Sequence, residues 1–555
     1  MFHRRRIHSR STVIGGLLVA LAGCGSTATM MTTPGPVLAP DEIPLRIDLT
    51  CPGDPACPTS GDTTLYAGTA KRDVTPLVEP FVDLNGNSLW DDGEPFTDRN
   101  GNGQFDPVWL AGRDNGVLAF DVHDPVWLRC YALRQGNTTL AQCVIDALGW
   151  FDEEEWRVRQ DLDPSLKVSL VMLSSTHCHH NQDLVGGWGV DETHTGYDPA
   201  YMLKLRAAVV SAITESVHNL KPAKMSIGSE AAESGPMHDM TNYVSDTRDP
   251  VILDNRLHIM QFDDATSGAP IVSVINWGAH PDSLGSRHHY ISSDFVHYLR
   301  ETFEAATGSP SVYVTSEVGG QIGPGRVVAI TSEGKTIVHD EQYDFVDAWG
   351  TFIGKLAVEA WKGRVDVTAP MLAFRHTTWN VHVENIVFQT AAILHVYNRG
   401  FFGFDPKKPL LRTMTSDNTP VTTTEAAYLT LGPASIITGP CEVFPESFLG
   451  GYDGSYSGTW PIEDKTQPNY PPLEKAPKPP YLRDLMPGAV ENRMVFGLTL
   501  DFLGYVVPQY NFVLNPDAPY ISEATGDHYE ETNSVGSRAE PEIIGTMRQL
   551  ITYPN

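Results

Sequence analysis

The chain is short of positive charge. Its 39 lysines and arginines stand against 68 aspartates and glutamates, a formal net charge of −29 over 555 residues. So acidic a chain repels phosphate backbones, which excludes a nucleic-acid partner. Apolar runs of membrane-spanning length are also missing: Val13–Ala22 is too short to cross as a mature helix. Cysteine is scarce, seven in all, yet their presence suits an exported protein better than a cytosolic one. With 41% hydrophobic and 19% charged residues, the remainder is ordinary for a globular protein, and the core is large enough to need no cross-links. The length leaves room for more than one domain, although large α/β units run longer than the average domain.

What the N-terminus does carry is an export signal. Arg4, Arg5, Arg6 and Arg10 precede the apolar run, and Leu21-Ala-Gly-Cys24 resembles a bacterial lipoprotein cleavage box. Residues 1–23 are therefore expected to be a signal peptide and Cys24 the lipidated first residue. That places the mature protein in the bacterial cell envelope, joined to the membrane by its anchor. An ordinary secretory signal with a chance cysteine is the alternative. Loss of the four arginines makes the mature chain more acidic still. Residues 24–62 read as a tether rich in small residues and proline. Within it Cys51 and Cys57 flank Pro52–Ala56 and could close a small loop. Cys130 and Cys143 flank a hairpin-like stretch. With Gly136-Asn137 as its two-residue turn they face each other, as a disulfide or as a plain apolar pair.

Residues 83–106 hold an internal repeat. Asp83, Asn85, Asn87 and Asp91 recur fifteen positions later as Asp98, Asn100, Asn102 and Asp106. Carboxylate and amide oxygens spaced in this way, with glycine between them, suit a loop that wraps calcium. Ser88 at the sixth position of the first copy and Trp109 at the twelfth of the second depart from the EF-hand pattern. The segment is read as a paired calcium loop of another kind with a structural role, the alternative being a metal-free Asn/Asp/Gly turn.

Helical spacing predicts helices over 152–161, from Asp198-Pro199 onward, from Ser293-Asp294 to near Gly308, and over 343–363. Between them, five apolar stretches each finish in a polar or glycine-rich turn. Val168–Ser175 runs into His177 and His179, and Ala269–Trp277 into His280. Ser311–Thr315 opens into Gly319–Gly325, Ser435–Thr438 into Glu442, and Met494–Phe502 into Tyr505. This alternation predicts a mixed α/β fold, with central sheets flanked by helices and a ligand site at the carboxyl ends of strands. Residues 460–480, rich in proline and charge, read as an excursion or lid. On an extended backbone His177 and His179 face one pocket while Cys178 faces elsewhere. Imidazoles with a carboxylate and an exchangeable position suit a catalytic zinc. Taken singly, His280 reads as a turn residue, Glu442 as a loop acid and Tyr505 as a core aromatic.

From about Tyr66 onward the chain resembles the neutral ceramidase family, hydrolases that cut the amide of N-acylsphingosine. The likeness rests on Ala67–Pro76, Ser174-Ser-Thr-His-Cys-His179, Asn276-Trp-Gly-Ala-His-Pro281, Gly439-Pro-Cys-Glu442 and Gly497–Tyr505. It implies one ceramidase-like catalytic domain over residues 63–555 and zinc on His177, His280, Glu442 and Tyr505. His179 is then a proton carrier or transition-state stabiliser, and the substrate a lipid, such as a sphingolipid, or another small molecule. The family often adds an immunoglobulin-like domain; none is expected here, because the chain ends first. Two departures follow. The family's serine-bearing loop corresponds to Gly320-Gln-Ile-Gly323-Pro-Gly325, with glycine at the serine, and Gly235-Pro-Met-His238 stands where a substrate-side arginine is found.

Zinc lowers the pKa of bound water from about 15.7 to about 7. Metal-bound water is therefore expected to attack an amide or ester without the serine, with Gly320 and Gly323 leaving space or backbone donors near the substrate oxygen. A surface-anchored zinc-dependent hydrolase is the leading reading. A non-catalytic binding or structural lipoprotein on the same fold, or a zinc hydrolase of a phosphoester or lactone, are the alternatives. Cys178 replaces the family's threonine and Cys441 its glycine. Because His177 and Glu442 would share one ion, a Cys178–Cys441 disulfide is expected, with two unpaired buried thiols as the alternative.

Overall fold

The computed structural model describes residues 45–554 apart from 233–242, 247, 286, 325–327, 331–335, 339–341 and 402–419. The signal segment, Cys24, the first part of the tether and residues 235–238 lie outside the described residues.

The early strands are β1 (Leu49–Cys51), β2 (Leu65–Asp73), β3 (Trp127–Gln135), β4 (Thr138–Ile145), β5 (Leu170–Ser175) and β6 (Lys221–Ala231). There follow β7 (Arg256–Asp264), β8 (Pro270–Trp277), β9 (Ser311–Thr315), β10 (Val365–Val367), β11 (Leu372–His382) and β12 (Val421–Leu431). The last are β13 (Ala434–Thr438), β14 (Glu442–Val443), β15 (Arg493–Phe496) and β16 (Tyr505–Val506). A large sheet runs β9-β8-β7-β6-β2-β3-β4-β5, with β10 on β6, and a smaller one runs β1-β11-β12-β13-β15. The fold is mixed α/β.

Helices α1 (Asp152–Asp161), α2 (Pro199–His218), α3 (Phe295–Thr307) and α4 (Tyr343–Lys362) cover the outer face of the large sheet. Asp198 caps α2 by accepting from the Ala200 amide at 2.8 Å, and Pro199 occupies the first turn, where its missing N–H is no loss. Met202, Leu205, Val209 and Ile213 then form one buried stripe against Leu128, Cys130 and Ala141 of the sheet. On the inner face, Tyr131, Leu133, Met172 and Val272 of the large sheet meet Phe374, Leu429, Ile436 and Phe496 of the smaller one. Burying each such side chain contributes about 1.5–3 kcal/mol. Covered on both faces, β4, β5 and β9 are buried along their whole length, and β4–β5 and β8–β9 are parallel pairs.

The strand ends meet because the sheet edges are sewn together. β5 and β9 are opposite edges of the large sheet, yet residues 497–500, just past β15, bridge them. The Gly497 amide donates to the Thr315 carbonyl at 2.9 Å and the Leu500 amide to the Leu173 carbonyl at 2.8 Å. The Thr499 amide donates to Gly439 at 3.1 Å, which draws in the turn before Glu442. A Cβ on Gly497 would lie 2.1 Å from the Ser316 carbonyl oxygen, so only glycine fits. Leu498 and Leu500 hold φ of 47° and 79°, left-handed values of the kind that cost about 1–3 kcal/mol each.

Cys51 and Cys57 form a disulfide with Cα atoms 5.7 Å apart, and Cys130 and Cys143, opposite each other across β3–β4, form a second with 4.1 Å. The expected Cys178–Cys441 bridge is not formed: both thiols are free and buried. Cys178 turns away from the histidine face and donates its S–H to the Ser292 carbonyl at 3.0 Å. Cys441 packs instead among Ile437, Val443 and Met547. Sharing a neighbourhood through adjacent residues does not point two side chains at each other. Among the described residues no helix is long and apolar enough to cross a membrane. Residues 460–480 lie against 249–251, with the Val251 amide donating to the Ile462 carbonyl at 2.8 Å.

Candidate metal centre

His177 stands two residues beyond β5 with φ of +69°. The strand has already ended there, so His177 and His179 come together at a left-handed turn and not along an extended backbone. Their rings lie 4.8 Å apart, and the His280 ring is 4.5 Å from His177 and 5.6 Å from His179. The ligand atoms of all three lie within 4.8 Å of one another. Each ring is held through Nδ1: His177 by the Leu148 carbonyl at 2.9 Å, His179 by Gly112 at 2.9 Å, His280 by Gln321 at 3.1 Å. Donation from Nδ1 leaves the Nε2 lone pairs free for a metal or a proton.

Glu442 and Tyr505 are brought side by side by the parallel pairing of β14 with β16. One Glu442 oxygen, Oε2, lies 3.2 Å from Nε2 of His177 and 3.2 Å from Nε2 of His280. The Tyr505 hydroxyl lies 3.3 Å from the same His280 nitrogen and 3.1 Å from the Tyr529 hydroxyl. Charge-assisted N–H···O contacts normally close to about 2.7–2.9 Å. Ligands about 2.0 Å from a tetrahedral zinc are spaced about 3.3 Å apart. The observed separations fit the second pattern, and Oε2 of Glu442, fully buried, makes no directed hydrogen bond. The donor set and the orphaned oxygen both suit a zinc ion.

Left to themselves, these groups hold an uneasy charge balance. Burial opposes charge on Glu442, but His177 and His280 outweigh it and hold the carboxyl at about 2. For His177 burial works against the charge and Glu442 overcomes it, so its pKa rises; for His280 burial and His177 together lower it. His179 falls well below the ordinary imidazole value, through burial first and then His177, His280 and Arg113. Burial, then Glu442, pushes the Tyr505 phenol well up; a divalent cation in contact reverses that preference.

Gly320 and Gly323 differ. A Cβ on Gly320 would lie 2.8 Å from Oδ2 of Asp246 and 3.3 Å from Pro445, so the space expected there is already filled. A Cβ on Gly323 would meet only the Ser245 hydroxyl, at 3.7 Å. Sequence reading missed Gly112, Arg113, Asp282 and Tyr529, which come from three separate stretches of the chain and carry no local signature. Gly112 has φ of +93°, and a Cβ there would sit 2.5 Å from Nδ1 of His179.

The repeat forms two exposed loops of the same construction. Asp83 accepts from the Gly86 and Ser88 amides at 2.6 and 2.8 Å; Asp98 accepts from Gly101 and Gly103 at 2.5 and 2.8 Å. Asn85 and Asn87 donate to Asp91, as Asn100 and Asn102 do to Asp106. Each loop is closed by a buried glutamate that sequence reading passed over. Glu94 accepts from the Leu84 and Asp91 amides at 2.7 and 2.9 Å, and Glu79 from Arg99 and Asp106, both at 3.0 Å. Glu79-Pro-Phe and Glu94-Pro-Phe are themselves copies fifteen residues apart. Each copy's glutamate therefore closes the other copy's loop. Glu94 is the twelfth residue of the first loop, and Glu79 fills for the second the place that Trp109 cannot.

The class these features define is a two-sheet α/β protein with a buried histidine–carboxylate–phenol cluster at converging strand ends. Neither a protein-family model nor a curated protein matches the sequence. The fold is similar to that of the neutral ceramidase from Pseudomonas aeruginosa, with a TM-score of 0.55 and 12% identity over 88% of this chain and 74% of that one. It is also similar to a ceramidase complexed with C2, with a TM-score of 0.57 and 13% identity over 88% and 75%. At that identity the likeness is one of fold.

Proposed function

We propose that the chain is a ceramidase-like, zinc-dependent hydrolase of an amide or ester, with a lipid or other small acyl substrate. The observation that carries this reading is the meeting of His177, His280 and Glu442 at 3.2 Å edges, with Tyr505 3.3 Å from His280. Those four residues would hold the ion. When bound, zinc supplies a Lewis acid and lowers the pKa of a water from about 15.7 to about 7. The protein's own share is to fix three of the four ligands, His177, His280 and Tyr505, through Leu148, Gln321 and Tyr529 and to keep His179 neutral, its Nε2 without a hydrogen bond. His179 is then ready to accept a proton and to return it to the leaving group. Glycine at 323 favours a second reading, a zinc-holding protein that turns nothing over.

Elemental analysis and hydrolysis of short N-acyl amides, before and after chelation, separate the two. About one zinc per chain, with turnover lost on chelation, is the expected result. Zinc bound without turnover on any acyl substrate supports the second reading, and no zinc at all sinks both.

Two further readings belong with this proposal. The paired loops are calcium sites that brace the fold, supported by their EF-hand-like oxygen spacing and the glutamate at each closing position. Cys24 carries a lipid anchor that holds the protein at the bacterial envelope membrane, supported by the cleavage-box sequence.

A further inference from the structure

We propose that Arg113 is a positioning residue for His179. The inference rests on the reading of His179 as the group that handles a proton beside the metal. Gly112 and Arg113 follow one another on a single turn, and each holds the histidine in a different way. The Gly112 carbonyl accepts from Nδ1 of His179 at 2.9 Å. Arg113 reaches past it: Nη2 donates to the Asp282 carbonyl at 2.7 Å and to the Leu284 carbonyl at 2.8 Å, and it pairs with the Asp282 carboxylate. That carboxylate lies 3.5 Å from Nδ1 of His179. The His179 amide donates to the Pro281 carbonyl at 3.1 Å, so the backbone next to Asp282 is tied to the same histidine.

Arg113 thus pins the 281–284 turn from outside, and the turn presents a carboxylate to the His179 nitrogen that faces away from the centre. The Gly112 carbonyl holds the ring through Nδ1 and the pinned turn holds the His179 backbone through the Pro281 carbonyl, so together they fix where Nε2 points. All three contacts are made by one nitrogen, Nη2, so the reach and charge of Arg113 hold the turn.

The test uses the full-length, zinc-loaded protein as wild type, Arg113→Met, Arg113→Lys and Asp282→Asn. Crystal structures read the ring. Arg113→Met and Asp282→Asn are expected to open the His179–Gly112 contact beyond about 3.5 Å, with zinc content unchanged. Turnover of a short fluorogenic N-acyl amide is expected to fall about 30-fold in kcat with KM within about 2-fold. Arg113→Lys, which keeps charge beside Asp282, is expected to recover kcat to within about 5-fold of wild type. An unmoved ring in both Arg113→Met and Asp282→Asn overturns the proposal, as does a rise in KM alone, which would make Arg113 a substrate contact. Zinc loss in Arg113→Met overturns it too. Should Arg113→Met not fold, Asp282→Asn reads the same contact. A wild type that holds zinc and hydrolyses nothing ends the hydrolase reading, while the ring position still decides the role of Arg113.

Discussion

In the paired loops Asp83, Asp91, Glu94, Asp98, Asp106 and Glu79 all accept from backbone or side-chain amides, and the loops stand in solvent. In the histidine centre the groups come from residues 177, 280, 442 and 505, all buried, and one carboxylate oxygen finds no hydrogen bond. Both regions offer oxygen or nitrogen ligands at regular spacing, yet they stand in different relation to an ion. The loop carboxylates of Asp83, Asp91, Asp98 and Asp106 have hydrogen-bond donors without any cation. A buried carboxylate oxygen without a directed hydrogen bond costs about 1–3 kcal/mol, and the centre could recover that by holding a cation.

The strongest way to break this contrast is to remove one ligand of the centre. Glu442→Ala is expected to abolish zinc binding by elemental analysis and to lower turnover by about a thousand-fold or more, while calcium binding by the loops is unchanged. Next in size is a buried carboxylate that has all its partners. Glu425 accepts from Arg159 at 2.7 and 2.9 Å and lies 2.9 Å from Nε2 of His376. Burial opposes its charge, but His376 and Arg159 prevail and hold it at about 2, while Glu155, sharing Arg159, is pushed up by burial to about 8. A depressed carboxyl contributes stability above its unfolded value of 4.5, and that stability is lost as pH falls through about 2. Glu425→Gln is expected to cost about 3 kcal/mol at pH 7, with the gap to wild type narrowing between pH 4.5 and about 2. Denaturant titrations at pH 7 and in that window check both values.

A smaller effect is expected where the two regions adjoin, since the turn holding His179 begins a few residues after the second loop. Gly112→Ala places a methyl against the ring and is expected to lower kcat about 10- to 100-fold with zinc retained, measured on the same amide. Smallest is Glu79→Gln. It should reduce the calcium-dependent rise in Tm by about 2–4 °C in thermal scans and leave zinc content and kcat alone. A zinc deficit in Glu79→Gln would merge the two regions into one cooperative unit.

Much of the fold was legible because its signals are local. Apolar runs gave β5, β8 and β9, and the Asp198-Pro199 and Gly308 boundaries marked α2 and α3. The ligand candidates were visible as strand-end histidines and acids, but what brings them together was not. No residue in 497–500 advertises that it will sew β5 to β9, and the left-handed leucines at 498 and 500 run against their own preferences. Gly112, Arg113 and Asp282 were invisible for the same reason, since each matters through partners far away in sequence. Cys178 and Cys441 show the converse error: proximity inferred from neighbours, with side-chain direction left out. Glu79 was the avoidable miss, because the repeat extends four residues upstream of Asp83 and carries the glutamate with it.

The exchange of Glu79 and Glu94 makes the two loops a minimal pair that cannot be trimmed to one. Excising 94–106 would remove the second loop and also strip the first of its closing acid; excising 79–91 does the reverse. A single copy grafted elsewhere inherits an open ring. Shortening this insert by one copy leaves the other loop without its closing acid, so the 28 residues from Glu79 to Asp106 act as one unit.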